Sequence, residues 1–169
     1  MEETRVLFLG CNLWLQPFDA TGAMPTQTEL KRSLLGQILL AVQNNKKVGG
    51  RRVRLVLSRH VLLTCDHVAA VKGWTEAGEV QRWIVALVER GIREGSIIYD
   101  PTVEDYPALA ARAAQFGGAE DAEDEAILRS AKANNAELVT YDGDLAGTCG
   151  RRGITVTGPT ELRQQLCGH

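Results

Sequence analysis

The stretch Asp121 to Leu145, DAEDEAILRSAKANNAELVTYDGDL, decides the reading of the whole chain. It opens with acids at Asp121, Glu123, Asp124 and Glu125, then shows an apolar row at helical spacing, Ile127, Leu128 and Ala131. A short buried-strand pattern, Leu138-Val139-Thr140, runs straight into Asp142 and Asp144. Helix then strand, with acids at the helix start and just past the strand's carboxyl end, is an arrangement of α/β proteins. Ligands of an open parallel sheet bind at that end. Carboxylates converging there would suit Mg²⁺ or Mn²⁺, hard cations that prefer oxygen ligands and can activate water or steady a phosphate.

Outward from this stretch, the chain of 169 residues is expected to be one domain of ordinary soluble composition, 44% hydrophobic and 24% charged. A formal net charge of -2 removes the crude argument for a nucleic-acid binder, though not a local basic patch. Cys11, Cys65, Cys149 and Cys167 form neither a CxxC pair nor a disulfide framework, and Cys11 and Cys65 read as buried thiols. With no signal peptide and no long apolar run, a cytoplasmic protein without membrane contact is the simplest expectation.

Val6 to Leu9 reads as a central strand, ending at Gly10-Cys11-Asn12, and Gln16 to Pro25 as a loop. Thr26 to Glu29 has the form of a capping box for a helix running to about Asn44. A polar, basic turn from Asn44 to Arg52 precedes a strand at Val53 to Leu57. Ser58 caps the next helix, which Gly73 ends. A further helix is expected from Thr75, stopped at Gly91 or Gly95, then a strand at Ser96 to Tyr99 and a helix over Tyr106 to Phe116. The tail gives a strand at Ile154 to Val156 and a helix from Thr160 to about Leu166. Strands and helices alternate, so the expected fold is α/β, a parallel sheet covered by helices on both faces.

The strings D-A-E-D-E-A-I-L-R-S-A, L-V-T-Y-D-G-D-L and G-I-T-V-T-G-P-T-E-L resemble the C-terminal half of a PIN domain. S-R-H-V-L-L and G-W-T-E resemble the middle of bacterial PIN proteins similar to VapC-type toxins. The resemblance covers most of the chain, with extra length around Tyr106 to Gly118. It implies a compact α/β fold and a Mg²⁺- or Mn²⁺-dependent endoribonuclease. The partners implied are RNA and an antitoxin or other protein, with a homodimer open. Carried over, Asp124, Asp142 and Asp144 match family acids that hold the metal, and Asn12 matches the asparagine of the first-strand D-x-N. Two expected acids are missing. Gly10 stands for the aspartate of D-x-N, and the mid-chain glutamate falls near Leu63 or Thr64. Asp66 lies two residues beyond Thr64, so on a helix it points roughly 200° away.

The pattern therefore implies a nuclease of reduced or unproven activity, or an inactive PIN-fold module that binds RNA or a protein. The bland readings remain beside it: Asp124 and Asp142 as helix-cap or turn residues, Asp144 as a cap on a short turn at Leu145, and Glu123 and Asp121 as solvated helix-start charges. A phosphatase nucleophile loop over Val139 to Asp144 is not the expected reading, because such a loop normally opens its chain and only 25 residues follow Asp144 here. An EF-hand loop is excluded because Gly153 stands where its glutamate should be. His60 and His67, at i and i+7, lack metal-pair spacing. Trp14, Trp74 and Trp83 read as packing residues, with base stacking an alternative for Trp14. Lys46, Lys47, Arg51, Arg52 and Arg54 form one basic cluster. Arg151 and Arg152, following the acids, are the better candidates for RNA.

Overall fold

A computed structural model describes residues 4–101 and 122–167. The expected helix over Tyr106 to Phe116, and the charge at Asp121, lie outside the described residues. In chain order the strands are β1 (Thr4–Leu9), β2 (Lys47–Val48), β3 (Arg51–Ser58), β4 (Ile97–Asp100), β5 (Glu137–Val139) and β6 (Val156–Thr157). The helices are α1 (Cys11–Asp19), α2 (Gln27–Arg32), α3 (Leu34–Gln43), α4 (Arg59–Val71), α5 (Glu79–Glu94), α6 (Ala122–Ala133), α7 (Gly143–Arg151) and α8 (Pro159–Cys167).

The parallel strands lie in the order β4-β3-β1-β5-β6, and β2 pairs antiparallel with the start of β3. Leu7, Phe8 and Leu9 on β1 and Leu55, Val56 and Leu57 on β3 are consecutive and all buried. Side chains alternate across a strand, so both faces of the sheet are covered by helices, as the apolar run predicts. Connections leave β1 toward β3 on one side, whereas β5 lies on its other side. The carboxyl ends of β1 and β5 are thus the switch point of the sheet, where open α/β folds place their ligands.

Several expected boundaries change. Gln16 to Pro25 does not open as a loop: α1 carries Pro17 inside it. Burial of Leu13, Trp14, Leu15 and Phe18 against the sheet offsets the hydrogen bond that proline cannot make. The expected helix from Thr26 to Asn44 is two helices. Thr26 forms the predicted capping box, but Ser33 leaves helical geometry (φ -75°, ψ 158°) and its Oγ accepts from Gly36 N to cap α3. The basic turn is a hairpin. Gly49 and Gly50 take φ of 61° and 82°, as a tight two-residue connection between β2 and β3 requires. Helix α5 starts at Glu79 rather than Thr75, behind Gly78 at φ 89°. Gly95, at φ 80°, ends it as expected. What reads as a short turn at Leu145 is the nine-residue α7, whose Leu145, Thr148 and Cys149 form its buried face. None of the helices among the described residues is long and apolar enough to cross a membrane.

Candidate functional site

At the switch point a cleft of about 310 Å³ opens. Its floor and walls include Gly10 and Asn12 from the end of β1, Thr64 from α4, Asp124 from α6, and Thr140 and Asp142 from the end of β5. Each comes from a different local cause. Gly10 N donates to Val139 O at 2.9 Å, which ties the ends of β1 and β5 together. Asp142 N donates to Thr140 Oγ1 at 3.1 Å, and Asp142 Oδ1 accepts from Asp144 N and Leu145 N at 3.0 and 3.1 Å. Asp142 is therefore the N-cap of α7 and a cleft residue at once, so its capping role does not take it out of the cleft. Asp124 stands in the first turn of α6. Its neighbour Glu125 is buried and pairs with Arg152 Nη1 at 2.7 Å, which joins α6 to the end of α7.

Asn12 is half-buried, but its Oδ1 atom is enclosed and has no hydrogen-bond partner among the described residues. Leaving such an oxygen unpaired typically costs about 1–3 kcal/mol, so it marks a place where a ligand atom would be welcome. A Cβ built on Gly10 would lie 3.3 Å from that same Oδ1 and 3.2 Å from Thr140 Oγ1. Gly10 itself has φ -67° and ψ 162°, an extended conformation open to any residue. The space in front of it, rather than its backbone, is what glycine provides. The candidate ligand groups are oxygens: the carboxylates of Asp19, Asp124 and Asp142, the Asn12 amide and the hydroxyls of Thr64 and Thr140. That set fits a hard cation such as Mg²⁺ or Mn²⁺ in kind, though among the described residues no three His, Cys, Asp or Glu side chains gather into a metal-holding group.

The described residues place the other candidates elsewhere. Asp144 is exposed in the first turn of α7 and does not line the cleft. Neither Arg151 nor Arg152 lines it either: Arg151 Nη2 donates to Thr148 Oγ1 at 3.1 Å, and Arg152 is paired with Glu125. Arg51, Arg52 and Arg54 open β3 at the amino end of the sheet, a strand's length from the cleft. Asp66 is turned away as predicted. It is buried, and its carboxylate accepts from Gly78, Val80 and Gln81 N, capping α5 from the neighbouring helix. Trp14 is fully buried, which removes it as a base-stacking residue. Cys65 is buried and Cys11 half-buried, their contact being Cys65 Sγ to Cys11 O at 3.8 Å.

No family model matches the chain, and no curated protein does. Solved structures do. The crystal structure of FitAcB from Neisseria gonorrhoeae aligns with 92% of this chain and 99% of that one, at 20% identity and a TM-score of 0.47. A domain of a functionally unknown protein from Methanocaldococcus jannaschii aligns with 91% of this chain and 90% of that one, at 13% identity and a TM-score of 0.50. The likeness is one of fold. That fold, a mostly parallel sheet flanked by helices, is the one that a PIN resemblance implies.

Sequence reasoning missed Thr140, Lys72 and Trp74 as cleft residues. Thr140 was legible as the last apolar-strand position before Asp142. Lys72 and Trp74 flank the helix-ending Gly73, and nothing in their spacing marks them.

Proposed function

We propose that this chain is a PIN-like, Mg²⁺- or Mn²⁺-dependent endoribonuclease of low activity. What supports this reading is the convergence of Asp124, Asp142 and the unpartnered Asn12 Oδ1 in one cleft at the sheet's switch point. Asp124 and Asp142 would hold the ion with Asn12 Oδ1 as a neutral third oxygen. Asp144, outside the cleft lining, drops from the set. A bound divalent ion lowers the pKa of its water and offsets charge on the phosphate. The protein's part is placement. The hydrogen bonds from Asp144 N and Leu145 N fix the Asp142 carboxylate, and Thr140 Oγ1 holds the backbone beneath it. Gly10 and Thr64, at the positions of two expected acids, leave the ion with fewer charged ligands. Looser placement of ion and water can cost about 100-fold in rate.

A second reading, an inactive module that binds RNA or a protein, draws on those same two residues. Calorimetric titration with Mn²⁺ and cleavage of a single-stranded RNA separate the two. The nuclease reading expects weak Mn²⁺ binding and slow cleavage, both lost in Asp124→Asn and Asp142→Asn. Cleavage that survives both substitutions overturns the site. Absence of both binding and cleavage in the unaltered protein leaves the second reading.

A further inference from the structure

The cleft carries one feature that the proposed metal chemistry does not use. Its wall on the α4–α5 turn holds Lys72 and Trp74. Lys72 is the one cationic side chain among the described residues that line a cleft otherwise charged by Asp19, Asp124 and Asp142. Its Nζ lies 4.6 Å from the centroid of the Trp74 ring. The indole is rigidly seated. The Phe18 ring stacks on it nearly parallel, 10° between planes and 6.4 Å between centroids, and Gly22 leaves just enough room beside its five-membered ring. The turn itself is fixed, Trp74 N donating to Ala69 O at 3.0 Å and Gly73 taking φ 73°.

We infer that Lys72 and Trp74 together hold one unpaired nucleotide of a substrate strand beside the acids, Lys72 through its phosphate and Trp74 through its base. This rests on the nuclease reading for the choice of strand, but not for the contact itself. A polyanion approaching Asp19, Asp124 and Asp142 meets repulsion, so a cation at the rim is where its backbone can be held. A lysine at the surface resting on an aromatic ring gains about 0.5–1 kcal/mol, whereas a hydrogen bond to a charged group is worth about 1.5–3 kcal/mol. An arriving phosphate therefore draws the ammonium off the ring. That movement uncovers an indole face, already ordered against Phe18, on which a base can stack at small entropic cost. Stacking needs an unpaired base, which selects a single strand over a duplex.

The test is fluorescence anisotropy of a short labelled oligouridine in EDTA, so that neither metal nor cleavage enters the readout. The unaltered protein is expected to bind the single strand better than the duplex of the same length. Trp74→Ala should weaken binding about tenfold or more, while Trp74→Phe, which keeps a ring against Phe18, loses only a few-fold. Lys72→Ala, an exposed position that tolerates truncation, should flatten the dependence of log affinity on log salt by about 0.7. Arg90→Ala, an exposed arginine of α5 that pairs with Glu94 and does not line the cleft, serves as the control. Single-stranded DNA run alongside tells a ribose from a deoxyribose strand, and either strand held through Lys72 and Trp74 supports the inference. Binding indifferent to both substitutions, or no binding to any strand, overturns it. A parallel Mn²⁺ cleavage assay keeps the two ideas apart. Cleavage lost in Asp124→Asn but untouched by Lys72→Ala and Trp74→Ala would leave the nuclease and remove the rim contact. Binding that needs Lys72 and Trp74 without any cleavage would leave the rim contact and remove the nuclease.

Discussion

The two ends of the sheet are built on opposite principles. At the amino end Arg5, 4% exposed, donates to Glu137 at 2.7 and 2.9 Å, to Gln165 Oε1 at 2.6 Å and to Thr157 Oγ1 at 3.3 Å. Thr157 in turn donates to Glu137, and Arg51 reaches the same carboxylate at 3.7 Å. Charge is buried there, but it is matched, and the network ties β1, β5, β6 and α8 into one unit. At the carboxyl end three carboxylates, Asp19, Asp124 and Asp142, share a cleft with an unpartnered amide oxygen and a glycine that leaves space open. A fully connected polar network specifies and stabilises a fold, whereas an incompletely satisfied one is costly unless something binds to it. The contrast sets stability at one end against the recognition proposed for the other, and it can be broken experimentally.

The largest effect is expected from Arg5→Met. Removing the arginine leaves the largely buried Glu137 carboxylate with only the more distant Arg51, which costs up to about 3 kcal/mol. Urea unfolding should show this as a fall in midpoint, while Mn²⁺ and RNA binding at the other end stay as they were. Equal damage to binding would mean that the two ends are not separable. Next comes acid. Burial alone would raise the Glu137 pKa, but hydrogen bonds from Arg5 and Thr157 and the charges of Arg5 and Arg51 outweigh it, so the carboxyl sits below its ordinary 4.5. A depressed folded-state value means that this group's stabilisation is fully present above about pH 4.5 and is lost as pH falls through the folded pKa. Glu137→Gln should lower stability at neutral pH and flatten its decline in acid, measured as unfolding free energy against pH. A decline as steep as in the unaltered protein would show that other carboxylates carry it.

The same contrast explains what was legible in the sequence. Local signals survived folding: the apolar runs of β1 and β3, the capping box at Thr26, Ser58 as the α4 cap, and the glycine stops at Gly73 and Gly95. So did the placement of Asp124, Asp142 and Asn12, because strand ends and helix starts converge by topology once the sheet is parallel. What failed was set at long range. The partners of Arg5 lie 132, 152 and 160 residues away, and no window contains them. Pro17 disguised α1, although Trp14 and Phe18 supply the burial that decides the matter. Three glycines in GDLAGTCGR hid α7, although Asp142 followed by Leu145, Thr148 and Cys149 spells a cap and an apolar face. Asp66 could be excluded from the cleft by helical phase, but its role as a cap for another helix could not be read.

At the carboxyl end a gain rather than a loss is the sharper test. Gly10→Asp adds a carboxylate beside Asn12 Oδ1 in a backbone conformation that accepts any residue. Its Cβ would crowd Thr140 Oγ1 at 3.2 Å, so a stability cost of about 1 kcal/mol is expected. Mn²⁺ binding should nevertheless tighten about tenfold, and adding Thr64→Glu, on the facing wall, should tighten it further but less than additively, since both carboxylates would serve one ion. Calorimetry reads both steps. No change in either variant would show that the cleft is not a cation site.

The smallest effect concerns how deep the open end goes. Cys149 on α7 is fully buried, and burial pushes its thiol up to about 11, with Arg152 acting against this and the Asp124 charge adding to it. A thiol with that pKa is about a thousandth ionised at pH 8 and has little nucleophilic character. Cys167, exposed on α8, has no such shielding. Under native conditions maleimide should label Cys167 at once and leave Cys149 untouched. In Asp124→Asn one of the raising influences on Cys149 disappears, so its pKa should drop slightly while labelling stays slow, because access and not charge limits the reaction. Mass spectrometry of labelled peptides at several times follows both cysteines. Prompt labelling of Cys149 in the unaltered protein would show that solvent passes behind Asp124. The buried face of α7 would then be open to solvent, and the cleft would run deeper than its lining residues.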